Sequence, residues 1–207
     1  MVESLLLVCS LCIDTFVTSI AYGTNKIKIP FSSAIIINGT CSLFLAISLF
    51  IGSILKDFLN PSISTSISFC LLFLLGVYRL FESFFKRYIQ RFLEIGVPLT
   101  FKIFDFKFVL QIYADEVKAD YDNSKILTSK EAIYLSVALS LDSLAVGFGS
   151  SLGNVHYLEV LILSIIIGFI ALSCGGCLGR KFAKKVDINL SWLSGVMLIV
   201  LSIIRVI

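Results

Sequence analysis

Residues 9–19 read Cys9-Ser10-Leu11-Cys12-Ile13-Asp14-Thr15-Phe16-Val17-Thr18-Ser19, a carboxylate set in sequence that is apolar on both sides. An ionised side chain at mid-bilayer costs roughly 2.5–3.5 kcal/mol on insertion scales, so Asp14 has to meet something that offsets the cost. The same pattern returns at Ser140-Leu141-Asp142-Ser143-Leu144-Ala145-Val146-Gly147. Sliding the chain by 128 positions superposes Glu3 on Glu131, Leu11 on Leu139, Asp14 on Asp142 and Thr15 on Ser143. How these two stretches are read decides the fold.

The surrounding composition is that of lipid-embedded sequence. Hydrophobic residues make up 57% of the 207 and charged residues 15%, with a mean hydropathy of +0.98. Soluble domains run nearer a quarter charged. Six segments approach the ~20 apolar residues that a span needs: 3–24, 32–55, 63–85, 131–152, 158–178 and 189–206. The first starts almost at Met1 without a basic leader and is too long for a signal core, so it reads as a span. The fold class expected is an all-α integral membrane protein, with units at 1–85, 86–130 and 131–207.

Lys and Arg distribute very unevenly among the connections. Lys26 and Lys28 lie in the first, eight residues between Lys86 and Lys130 in the third, and Arg180, Lys181, Lys184 and Lys185 in the fifth. The other face has Lys56 and Arg205, and Arg79 lies within the third span. The positive-inside rule makes the odd connections cytoplasmic and places both termini outside.

A repeat of three spans reverses its sense of crossing, so the halves form an inverted repeat, the architecture of many secondary transporters. Each aspartate lies 11 residues past its repeat's glutamate, or about 16–17 Å along a helix. Measured from opposite faces of a core about 30 Å thick, the two reach similar depth. Paired carboxylates with hydroxyls such as Ser10, Thr18 and Ser143 suit a hard cation such as Mn²⁺ or Mg²⁺, or a proton. The plainer alternative is that each acid is protonated, or capped by a hydroxyl, and only holds helices together. Arg79 and Glu82, three residues apart, read as an ion pair near the cytoplasmic interface.

Asp14-Thr15-Phe16, Ser19-Ile20 and Gly23, with Ser140-Leu141-Asp142-Ser143 and Ala145-Val146-Gly147, resemble the two signature stretches of the manganese efflux pump (MntP-like) family. Tyr22-Gly23, Lys26-Ile27-Lys28-Ile29-Pro30 and Gln111-Ile112-Tyr113-Ala114-Asp115 extend the resemblance, over nearly the whole chain, to the sporulation membrane protein (YtaF-like) branch. The resemblance implies a bacterial cell membrane, six spans, and Mn²⁺ export through Asp14 and Asp142. The pumps tend to carry an acid or amide followed by proline in the second span. This chain has Ser42 and Ala46 there, with Asn38 a turn earlier as the substitute ligand. The alternative from a different class is a non-transporting scaffold of spore formation.

Asp120-Tyr121-Asp122-Asn123-Ser124-Lys125-Ile126-Leu127-Thr128-Ser129-Lys130-Glu131 has the spacing of a twelve-residue calcium loop. Oxygen ligands would come from Asp120, Asp122, Ser124, the Ile126 carbonyl, Thr128 and Glu131. Lys125 stands where glycine is usual, and a left-handed backbone costs a non-glycine residue about 1–2 kcal/mol. The sequence therefore favours an acidic turn in which Thr128 or Ser129 caps the fourth helix. Just upstream, 104–112 alternates with period two and reads as a short strand. The Cys9/Cys12 and Cys174/Cys177 pairs have the CxxC spacing of a soft-metal or redox site, but the six cysteines lie mostly in apolar segments, where small thiols buried at helix interfaces are the commoner explanation. No nucleotide loop, catalytic triad or nucleic-acid motif is present. The partners expected are the bilayer and a divalent cation, with a homo-oligomer left open, no enzyme activity and no tightly bound cofactor.

Overall fold

The computed structural model describes residues 2–94, 109, 112–113, 115–122, 124–153, 155–181 and 191–204, with the side chains of 82–94 outside that description. Six α-helices account for most of these residues: α1 (Val2–Thr24), α2 (Phe31–Phe58), α3 (Pro61–Glu94), α4 (Ser129–Ser151), α5 (Tyr157–Lys181) and α6 (Ser191–Ile204). A 3-10 turn at Glu116–Ala119 precedes α4. Five of the helices, α1 to α5, are long and apolar enough to cross a membrane. The 14 described residues of α6 rise about 21 Å, less than the about 30 Å of a hydrocarbon core.

Local chemistry explains the boundaries. After α1, the Lys26 N–H bonds to the Gly23 carbonyl and the Ile27 N–H to the Tyr22 carbonyl, with Lys26 at φ 60°. This is the Schellman arrangement, and its apolar pair, Tyr22 and Ile27, is buried. Leu59 is extended, and Pro61 then opens α3, where its missing N–H would have had no partner. Thr128 and Glu131 cap α4 reciprocally.

The helices pack in three principal pairs, α1 on α5, α2 on α4 and α3 on α6. Lipid offers no hydrophobic drive for helix association, so small residues and interhelical hydrogen bonds have to supply it. A Cβ on Gly76 would lie 2.9 Å from the Gly195 carbonyl oxygen, and one on Gly195 would lie 2.7 Å from that of Gly76. Only glycine at both positions lets α3 and α6 touch backbone to backbone. Serines bind carbonyls on the facing helix: Ser68 to Gly149 at 2.6 Å and Ser64 to Leu152 at 2.7 Å. Large side chains such as Phe50, Ile54, Leu158 and Ile162 face outward, where lipid would cover them.

The third span, expected at 63–85, falls at Pro61–Phe81 of a helix that runs further than the span, to Glu94. Val109, Ile112 and Tyr113, within or beside the expected strand at 104–112, are helical; their i, i+3, i+4 spacing puts them on one face, and Ile112 is fully buried. The rest of that segment lies outside the described residues. Cys70, Cys174 and Cys177 are exposed, so the 174/177 pair does not fill a helix interface.

Gly195→Val is expected to overpack the α3–α6 contact by about 1–3 kcal/mol. It should lower the thermal unfolding midpoint of the detergent-solubilised protein; an unchanged midpoint would show that the helices separate without cost.

Candidate functional site

Asp14, in the middle of α1, and Asp142, in the middle of α4, both pair with Arg79 of α3. The Arg79 Nη1 contacts Asp14 Oδ1, and Nη2 lies 3.0 Å from Asp142 Oδ2. The Arg79 side chain is 3% exposed, and those of Asp14 and Asp142 are 14% and 18% exposed. One planar guanidinium with five N–H donors can serve two carboxylates at once, which a lysine ammonium does less specifically. The three side chains together carry a net charge of −1.

Arg79 turns inward between the two acids, a pairing that the expected contact with Glu82 did not include; the side chain of Glu82 lies outside the described residues. The available signal was a basic residue within a span, which has to find acids or an aqueous path. Among the other expected ligands, Ser10 and Ser194 of α6 share hydrogen bonds at 3.0–3.2 Å. Asn38 donates to the Ile165 carbonyl at 2.7 Å. Thr18 and Ser143 are buried, one turn after Asp14 and directly after Asp142 respectively.

A second acidic group stands at the start of α4. Carboxylate oxygens of Asp120, Asp122 and Glu131 all lie within 4.8 Å of one another. The chain folds back on itself there, because Ser124 N–H binds Asp122 Oδ1 at 2.9 Å and Lys125 N–H binds Asp120 Oδ2 at 3.3 Å. Lys125 adopts φ 63°, the left-handed conformation that the spacing demands and that glycine would supply more cheaply. Ser124 Oγ donates to the Ile126 carbonyl at 3.0 Å. Glu131 accepts from Tyr121 N–H on one oxygen and from Thr128 N–H and O–H on the other. Burial raises the Asp120 pKa against the Lys125 hydrogen bond, helped by the neighbouring charges of Glu131 and Asp122. Hydrogen bonds from Ser124 lower that of exposed Asp122.

Comparison with known proteins adds the following. Residues 47–205 match the Mntp family model, "Putative manganese efflux pump". "Probable sporulation protein YtaF" of Bacillus subtilis (strain 168) is 28% identical over 209 residues, covering 98% of each chain. "Putative manganese efflux pump MntP 2" of Clostridium botulinum (strain Hall) is 32% identical over 95 residues, 45% of this chain and 47% of that relative. The chain thus aligns with about half the length of this pump. No solved structure matches.

Removing the shared guanidinium leaves two close carboxylates without it, so Arg79→Met is expected to cost about 3–5 kcal/mol. Asp14→Asn keeps the Arg79–Asp142 pair and should cost clearly less. Thermal unfolding of the purified variants in detergent checks the order; equal losses would contradict it.

Proposed function

The chain belongs to the Mntp family, and on that premise we propose that it exports a divalent cation of the Mn²⁺ type, bound between Asp14 and Asp142. The observation that carries this reading is one buried guanidinium shared by carboxylates from two different helices. Two carboxylates balance a divalent cation in charge, whereas with one arginine they retain −1. Arginine stays protonated at any physiological pH, so it yields to the ion by moving and not by losing a proton. Arg79 is then a tethered stand-in that holds the two acids together between transport events. Thr18, Ser143 and nearby carbonyls are the oxygen ligands that would complete the shell, with Ser10 and Asn38 behind them.

The repeat supports this mechanism. In this reading residues 1–85 and 131–207 are inverted three-helix units, joined by a cytoplasmic segment with both termini outside. Exchanging the halves turns the α1–α5 pair into the α4–α2 pair and leaves α3–α6 unchanged, in keeping with the observed packing. It also exchanges Ser19 facing Gly176 with Gly147 facing Ser48. Rocking one unit against the other would open the midplane site to each side in turn.

A second reading, a non-transporting scaffold of spore formation, is favoured by one observation. The full-length relative bears a sporulation name, while the pump covers less than half of this chain.

Expression in a bacterium lacking its own manganese exporter separates the two. Wild type should restore growth in excess Mn²⁺ and lower cell manganese, and Asp14→Asn and Asp142→Asn should each return both to the vector-only level. A wild type that changes neither quantity leaves the scaffold reading. Protection that survives both substitutions refutes the paired-carboxylate site.

A further inference from the structure

We propose that the loop before α4 binds one Ca²⁺ through Asp120, Asp122 and Glu131, clamping the start of α4 to the α1–α2 connection. This site is separate from the intramembrane pair and does not depend on the transport reading.

The argument begins with an unsatisfied atom. Asp120 is 5% exposed, and its Oδ1 is buried without a hydrogen-bond partner. A buried acceptor left unpaired is costly, more so when charged. Among the described residues, no Lys or Arg pairs with any of the three carboxylates. One carboxylate oxygen from each of the three acids lies within 4.8 Å of the others, and one of these carboxylates keeps a buried oxygen without a partner. The group that fits such a cluster is a cation.

Calcium is the ion whose coordination matches the donors. It takes six to eight oxygens, from carboxylates, carbonyls and hydroxyls or water, in a flexible shell. In the twelve-residue spacing the next oxygen donors are the Ser124 hydroxyl and the Ile126 carbonyl, which are hydrogen-bonded to each other at 3.0 Å. Mg²⁺ demands a tighter octahedron and keeps its waters. The sequence-level objection, a lysine at the turn, is met by the backbone, since Lys125 already holds the left-handed conformation. Its cost predicts a weak site and not an absent one. Each Glu131 oxygen is engaged in capping α4, yet a carboxylate oxygen has lone pairs enough to accept further.

The mechanical consequence follows from the loop's attachments. Lys28 N–H binds the Lys125 carbonyl at 2.8 Å, and Leu127 N–H binds the Lys28 carbonyl at 2.9 Å. Ser33 Oγ of α2 donates to the Leu127 carbonyl at 2.7 Å. An ion at the acids ties these strands of contact to the helix that carries Asp142.

The test uses the full chain in detergent, titrated separately with CaCl2, MgCl2 and MnCl2 and followed by calorimetry and thermal unfolding. Expected are one-to-one Ca²⁺ binding, a rise in the unfolding midpoint, and at least ~10-fold weaker response to Mg²⁺. Asp122→Asn should weaken Ca²⁺ binding at least ~10-fold; Asp122 is exposed, and asparagine can keep the Ser124 hydrogen bond, so this variant should fold. Asp142→Asn should retain the Ca²⁺ response, which separates this site from the membrane pair. No calcium binding at millimolar concentration overturns the proposal, as does an Asp122→Asn protein that binds like wild type. A Mg²⁺ or Mn²⁺ response equal to that of Ca²⁺ overturns the assignment to calcium.

Discussion

The guanidinium of Arg79, held between Asp14 and Asp142, is the interaction on which the interior arrangement depends. Each of the three charges alone would be expelled from lipid or neutralised. Together each supplies the opposite charge the others need, and guanidinium geometry lets one cation serve two anions. The requirement reaches beyond the triad. It pins α3 between α1 and α4, and so couples the first half of the chain to the second.

That coupling works only because neutral packing brings the helices close enough. α3 meets α6 where Gly76 and Gly195 each leave room for the other's carbonyl. α1 meets α5 in the same way, since a Cβ on Gly23 would come 2.8 Å from the Cα of Gly179. Buried serines then bind carbonyls across the gaps, as Ser64 and Ser68 do with α4. These contacts are individually modest, but in lipid they replace the hydrophobic drive that water would provide. The charged group selects one arrangement, and the small residues let the backbones reach it.

Much of this was legible from the chain. Five of the six expected spans match helices long and apolar enough to cross a membrane, because lipid tolerates only long apolar helices, and Thr128 caps α4 as its position suggested. That Asp14 and Asp142 belong together followed from the repeat. The pairing of Arg79 with Asp14 and Asp142 was not legible, because partners 65 and 63 positions away are not visible in a linear pattern, whereas a neighbour at i+3 such as Glu82 is. The strand expected at 104–112 failed where described because alternation over a few residues also fits a helix with apolar residues at i, i+3 and i+4. Lys125 shows the reverse case: sequence gave the cost of its left-handed turn, and the surrounding hydrogen bonds to Asp120 and Asp122 hold the turn regardless.

The membrane class and the positions of five long apolar helices were set by local sequence alone. Hydropathy and helical rise are local quantities, summed along the chain. Only the tertiary structure decided which cation the acids meet, which helices touch, and that Asp120 keeps a buried oxygen without a partner. Those depend on distances between residues far apart in sequence, where a few tenths of an ångström separate a contact from a gap. Charge pairing in a low-dielectric interior depends steeply on such distances, so the polar interior was the part the linear pattern left open.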